Sequence, residues 1–462
     1  MDAVRRHQER GPARLHKSSK GLDLPLAGEP TPRIDAASAV GRVALLGIDT
    51  HGLKPALLIA PGDTVRRGQP LYQDKKNEGV RFTAPASGRV VELHRGERRA
   101  LVSIVIEVDE RPDERTSFES YRRQAPESLA AADVQALLME SGLWTALRTR
   151  PFSHVPAADA RPAAIFVTAT DTRPHAPAPA LVLADRLDDF RTGLAVLARL
   201  REAPVFVCHA ADAQFDVPAG VTAVAFAGPH PSGNAGWHIH RLMPVAVDRI
   251  VWTIGYQDVA AIGRLFSTGD LDVTRVVSLA GPAVKQPRLL RTRIGASLEE
   301  LTAGELLPGT HRIISGSVLD GRAVTGPADA FLGRHHTQIA VLPEAGEREM
   351  FGYIAPGAEK FSVTKTVLGA WRGAHRFALS TSTNGSPRAM YPIESYERVM
   401  PFDMLPTMLL RALIMKDDAR AAALGALELD EDDIALCTYV CAGKFDYGPL
   451  LRAALDRIEK EA

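Results

Sequence analysis

Apolar positions along this chain first come in short runs broken by Gly and Pro, then lengthen into helical spacing. Val43-Ala44-Leu45-Leu46, Pro55 to Ile59, Leu71-Tyr72, Val90-Val91-Glu92-Leu93 and Leu101 to Val108 read as strands. Turn signals separate them at Pro61-Gly62-Asp63, Gly68, Pro85 and Ser87-Gly88. Many short strands with regular turns predict a small β-barrel or sandwich. From Pro126 the period changes, and Leu129, Val134, Leu137, Leu138 and Leu143 recur at helical spacing. Ala164 to Thr168, Val205 to Cys208 and Val221 to Phe226 are buried-strand runs, with an amphipathic stretch from Leu181 to Leu200 between the first two. That alternation predicts a Rossmann-like α/β unit with a parallel sheet.

A third unit opens at Val276-Val277-Ser278-Leu279. It continues through a strand at Leu289 to Thr292 and a capping box at Ser297 and Glu300. A hairpin is expected from Arg312-Ile313-Ile314 to Val318-Leu319, turning at Asp320-Gly321. Strands around one short helix predict a β-grasp fold. Pro401 to Lys416, Asp417 to Leu429 and Leu450 to Glu461 read as helices. The expected organisation is a basic flexible tail over 1–20, a barrel-sandwich over 21–110 and a Rossmann-like α/β domain over 111–255. A β-grasp domain over 256–342 and a mainly helical domain over 343–462 complete it.

Composition narrows the function. Lys plus Arg is 55 and Asp plus Glu is 55, so the balanced charge argues against a nucleic-acid partner. Three cysteines in 462 residues exclude a disulfide scaffold and predict a reducing compartment. The most apolar stretch, Met404 to Met415, is interrupted by Pro406 and Arg411 and is too short to span a bilayer. The first twenty residues lack the apolar segment of a secretory signal.

Candidate chemistry is sparse. The run from Pro61 through Gln69, the Asp74-Lys75-Lys76 turn and Ala84 to Val90 resemble a biotinyl/lipoyl-carrier barrel. On that reading Lys75 would carry a swinging cofactor, but the residues around it lack the carrier signature. Cys437 and Cys441 share a helix face, with Cys208 far upstream, and three cysteines cannot supply a four-thiolate cluster. His238 and His240 would share one face of a strand, His335 and His336 are adjacent, and no third metal ligand is indicated. Asp430-Glu431-Asp432-Asp433 suits a helix N-terminus. Gly228 to Gly236 is glycine-rich, but Pro229 and Pro231 remove donors that a phosphate cradle needs. No nucleophile elbow, Walker loop or zinc-protease motif occurs, which points to a binding or scaffold subunit.

Ordered blocks then carry a resemblance. Gly21-Leu22-Asp23-Leu24-Pro25, Asp74-Lys75-Lys76-Asn77, Glu140 to Thr145, Arg148 to Ser153, Gly228-Pro229-His230-Pro231, Arg312 to Leu319, Gly425 to Asp430 and Cys437 to Cys441 resemble the A subunit of the Na⁺-translocating NADH:quinone reductase. The resemblance covers the chain from about residue 20 onward. It implies an α/β multidomain protein: biotinyl/lipoyl-like barrel-sandwich, Rossmann-like domain, SLBB-like β-grasp domain and helical C-terminal domain. It implies a peripheral subunit on the cytoplasmic side of the bacterial inner membrane, in a six-subunit pump that couples NADH oxidation and ubiquinone reduction to Na⁺ export. The partners would be the other five subunits, especially a membrane subunit, and ubiquinone would be the substrate. No cofactor is expected to be bound covalently here, and flavins and 2Fe-2S centres would sit in other subunits.

Quinone contacts in the family fall near segments matching Leu46 to Leu53 and Leu147 to His154. Leu46 and His51 would lie at the quinone, Trp144 and Phe152 would stack on its ring, and Arg148, Arg150 or His154 would donate to its oxygens. Two other readings accompany this one: an assembly scaffold without a redox ligand, and an NADH- or flavin-binding subunit like the C subunit of the Rnf ferredoxin:NAD complex. The Rnf subunit carries C-terminal four-cysteine clusters, which this chain lacks.

Overall fold

Alternation builds the first unit. In a computed structural model that describes residues 15–109, 114–346, 356–364 and 366–461, the strands Arg42–Leu46, Leu101–Val108, Gly88–Arg95 and Thr64–Val65 form one antiparallel sheet. Pro55–Leu57, Pro70–Asp74 and Arg81–Thr83 form the second layer. Val43, Leu71, Tyr72, Val90, Ile104 and Ile106 fill the space between them, and the Tyr72 ring stacks on Phe82 at 4.4 Å. Gly88 is required: a Cβ there would stand 2.0 Å from the Glu107 carbonyl oxygen on the neighbouring strand. The lysine turn is docked. Asn77 Nδ2 donates to the Val155 carbonyl at 3.3 Å, and a Cβ at Gly79 would reach 2.8 Å from Met139 Cε. Lys75 is exposed, but its turn is held against the α/β unit rather than projecting alone.

The α/β sheet has six strands. His16–Lys17, Val221–Ala227, Val205–Ala210, Ile165–Ala169 and Val251–Gly255 run parallel, and Arg148–Arg150 joins the far edge antiparallel. The strand order reverses between Ile165–Ala169 and Val251–Gly255, which makes the crevice at their C-terminal ends the topological switch point. Successive residues feed opposite cores. Ile165, Val167, Val205 and Val207 face the helices Leu187–Leu200 and Tyr256–Thr268, whereas Phe166, Phe206 and Cys208 face the C-terminal helices. Burial on both faces explains why these strands read as continuous apolar runs. Gly193 and Gly263 let the two helices meet backbone to backbone. A Cβ on either would fall within 1.9 Å or 1.7 Å of a carbonyl oxygen on the other helix.

The third unit is another six-stranded sheet, ordered Arg322–Ala323, His311–Ser315, Gln338–Pro343, Thr274–Ala280, Arg288–Arg293 and Thr31–Ala36. Its edge strand Thr31–Ala36 is borrowed from before the barrel, so the third sheet includes part of the span assigned above to the first domain. Ser297 caps the helix Leu298–Thr302 by accepting from the Glu300 N–H. The Glu300 carboxylate turns away to Gly41 and Arg42, leaving only half of the expected capping box.

The remaining helices, Ser395–Val399, Pro406–Met415, Asp418–Ala423, Ala435–Val440 and Tyr447–Glu461, cover the second face of the α/β sheet. No helix among the described residues is long and apolar enough to cross a membrane.

Four local expectations change. Residues 16–20 do not belong to a flexible tail, because His16 is buried against Phe226 at 5.2 Å and pairs with Val221–Ala227; residues 1–14 of the expected tail lie outside the described residues. The α/β unit runs past 255, since helix Tyr256–Thr268 closes its face. His238 and His240 lie on the helix Ala235–Leu242, not on a strand. Two positions apart on a helix face different ways, so His238 accompanies Phe226 at 4.2 Å while His240 Nδ1 contacts Glu428 at 2.7 Å. The hairpin after Ser315 closes through Arg322–Ala323 rather than Val318-Leu319, which stays in the turn where the Gly321 N–H donates to Ser317.

Candidate functional site

The two segments singled out above pack on each other. After Leu46 the chain makes a tight turn over Gly47–Asp49, allowed because Gly47 approaches the Leu101 carbonyl too closely for a side chain. This carries His51 onto His154: the rings stack at 5.1 Å, and His154 Nδ1 lies 3.2 Å from the His51 carbonyl oxygen. The helix Tyr447–Glu461 supplies an acid to each ring. Asp456 lies 2.8 Å from His51 Nε2 and Glu459 2.8 Å from His154 Nε2. Burial, then the Arg452 charge, lowers the His51 pKa despite Asp456.

Leu46 lies on the wall of a cavity between the barrel and the α/β unit. Its cavity volume is about 50 Å³, opening to solvent, and it is bounded by Leu45, Leu46, Tyr72, Phe82, Leu143, Leu271, Val273 and Ile294. Its polar wall is Asp49, Thr50, Thr83, Thr145 and Arg334. The Arg334 backbone N–H donates to Asp49 Oδ2 at 2.9 Å. Burial raises the Asp49 pKa to about 6, against the lowering pull of that hydrogen bond and of Arg322, Arg334 and Arg148. The slot is mostly apolar, with an acid that carries a proton over part of the near-neutral range.

The other expected residues are placed elsewhere. Trp144 is fully buried in the α/β core. Its Nε1 donates to the Pro156 carbonyl at 2.8 Å, Trp252 meets it edge-on at 5.5 Å, and the Arg201 guanidinium lies 5.5 Å away. It is part of the packing behind the slot and not of the slot wall. Phe152 is half-buried against the C-terminal helices, and its carbonyl accepts from Arg452 Nη1 at 3.1 Å. Arg148 and Arg150 lie on a separate crevice at the switch point, which shares Arg334 with the slot.

Arg150 has a structural role. It is buried and faces three carboxylates: Asp430 at 3.3 Å, Asp432 at 3.4 Å and Asp433 at 3.1 Å. Arg173 joins Asp432 at 2.9 Å and Asp320 at 2.8 Å, and Arg452 binds Glu431 and Asp430. Burial alone would raise Asp430, but Arg150 and Arg452 hold it well below the usual carboxylate range. The acidic run also caps its own turn, as its composition suggested. Its partners were missed because Arg150 and Asp433 stand 283 positions apart. Asp49 and Tyr72 carried a weak signal, one inside the singled-out Leu46 to Leu53 segment and the other on an alternating strand.

The cysteines are free and buried in one core. Cys441 Sγ lies 3.2 Å from the Tyr396 hydroxyl and 3.4 Å from that of Tyr447. Among the described residues no cluster of three His, Cys, Asp or Glu side chains forms a metal site.

Fold and site together define a multidomain module in which a barrel-sandwich hybrid, a β-grasp unit and a helical cover pack around a Rossmann-like α/β unit. Family comparison is specific about which one. Residues 17–109 match the NqrA N-terminal barrel-sandwich hybrid domain, 129–271 the NqrA second alpha/beta domain and 276–326 the NQRA C-terminal domain. The A subunit of the Na(+)-translocating NADH-quinone reductase of Serratia proteamaculans is 54% identical over 447 residues, covering 96% of this chain and 99% of the relative. The same-named proteins of Marinomonas sp. and Pseudomonas aeruginosa are 52% and 53% identical, over 97% and 96% of this chain and 100% and 99% of the relatives. The chain therefore belongs to the NqrA family, the A subunits of the Na⁺-translocating NADH-quinone reductase, an enzyme complex. The crystal structure of an air-oxidized NAD⁺-reducing [NiFe]-hydrogenase covers 48% of this chain and 49% of its own at 16% identity and a TM-score of 0.34, a likeness too distant to carry detail.

Proposed function

We propose that this chain is the quinone-associated peripheral subunit of its complex, on the cytoplasmic side of the membrane, and that the slot beside Leu46 receives the quinone ring. The observation that carries this is the meeting of Leu46 to Leu53 with Leu147 to His154. Their His51 and His154 rings stack, and the first segment places Leu46 and Asp49 on an apolar cavity. Leu45, Phe82 and Ile294 offer the ring apolar surface, and Arg334 and protonated Asp49 offer donors to its oxygens. The chain brings no covalent cofactor on this reading. Flavins and 2Fe-2S centres belong to the other five subunits, and a membrane subunit supplies its anchorage.

Titration of the purified chain with a short-chain ubiquinone, read by calorimetry, tests the proposal. The expected isotherm is saturable, and Leu46→Ala and Asp49→Asn each weaken it several-fold. Absence of saturable heat, or an unchanged isotherm in both variants, would reject the slot. The same titration separates this reading from a scaffold that binds no redox ligand.

A further inference from the structure

The crevice at the C-terminal ends of Ile165–Ala169 and Val251–Gly255 is a separate space from the Leu46 slot, although Arg334 borders both. Its cavity volume is about 150 Å³ and it opens to solvent, roughly ten times the 10–15 Å³ that one water needs. Four arginines line it, Arg148, Arg150, Arg275 and Arg334, against two carboxylates, Asp258 and Asp432. Those carboxylates are engaged. Asp258 binds Arg275 and lies 2.8 Å from Arg334, and Asp432 is shared between Arg150 and Arg173.

Two basic side chains remain. The Arg148 guanidinium and the His335 ring make no hydrogen bond or ion pair with another described residue, although both border the crevice. Arg148 is half-buried on the edge strand, where its backbone is paired with Thr253. Burial, then the charges of Arg148 and Arg334, keeps His335 well below its ordinary pKa, so it stands as a neutral donor in a positive field. The start of helix Tyr256–Thr268 borders the same space and adds the positive end of its dipole.

The geometry points to a binding site for a phosphate ester in this crevice, with Arg148 and His335 as the groups that hold the phosphate. A guanidinium offers paired donors that match phosphate oxygens, and a neutral imidazole adds one more. The space exceeds what a bare phosphate needs, which is the reason for choosing an ester over the inorganic ion.

Calorimetric titration of the full chain at low ionic strength, with sodium phosphate and with 5′-AMP as probes, tests this. The expected result is saturable binding of both, AMP at least tenfold tighter, and weakening with added NaCl. Arg148→Gln and His335→Ala should each weaken AMP binding at least tenfold, whereas Arg241→Gln, which lies over Trp237 away from the crevice, should not change it. Near-ultraviolet circular dichroism identifies a variant that has not folded, and the other variant then decides. Lack of saturable binding, AMP no tighter than phosphate, or wild-type affinity in the folded variants would overturn the assignment. A ubiquinone titration run in parallel keeps the two sites distinguishable, because His335→Ala, outside the slot wall, should leave the Leu46 slot competent.

Discussion

Two seams join the α/β unit to its neighbours, one leaving open space and the other locked by buried charge. Toward the barrel the seam is apolar and incompletely filled, with Leu46, Phe82 and Ile294 around open space. Toward the C-terminal helices the apolar core is filled and carries a buried ionic network, with Arg150, Arg173 and Arg452 interleaved with Asp430, Glu431, Asp432 and Asp433. One short stretch serves both: Arg150 reaches the ionic seam, and four residues later His154 contacts the Leu46 to Leu53 segment. Apolar contact is non-directional and leaves room for a guest, whereas buried charge requires every partner in place. The difference leaves room for the proposed ligand at the first seam and fixes register at the second.

Breaking the ionic seam should have the largest effect. Arg150→Ala leaves buried carboxylates without their shared cation, so unfolding in urea should show a loss of about 3–5 kcal/mol. A loss under about 1 kcal/mol would show that the network behaves like a surface one. Leu46→Ala on the apolar seam should cost about 2 kcal/mol, at the low end for a buried leucine, because the side chain already borders empty space. A cost equal to that of Arg150→Ala would erase the contrast.

The smallest effect separates the seams by pH. Asp49 has a folded pKa raised to about 6 from 3.8, so the folded state binds the proton more tightly and wild-type stability falls as pH rises between those values. Asp430 is shifted the other way, so its contribution is present above its unfolded pKa and lost as pH falls. Asp49→Asn should match wild type near pH 4 and exceed it by about 1 kcal/mol at pH 7, a value discounted for partial exposure. Thermal melts across that range check it, and a variant less stable at pH 7 would refute the assigned shift.

Much of this organisation was legible in the residues. Alternation located the barrel strands, apolar runs located Ile165–Ala169 and Val205–Ala210, and ordered blocks indicated the family. The same residues misplaced His238 and His240, because an H-x-H pair looks alike on a strand and on a helix until neighbours choose the backbone. They gave Trp144 to a ligand ring because an aromatic beside arginines fits either a site or a core, and only packing against Trp252 and Pro156 decided it.

The sequence by itself determined which positions seek burial, which turns need glycine and which segments matter for the site. Tertiary structure alone decided what each buried face meets. It brought Leu46 to Leu53 onto Leu147 to His154, joined Arg150 to an acidic run near the C-terminus, and placed Arg148 and His335 on one crevice. The physical reason is range: periodicity records how a residue faces its own helix or strand, and carries no record of the partner that closes over it from hundreds of residues away.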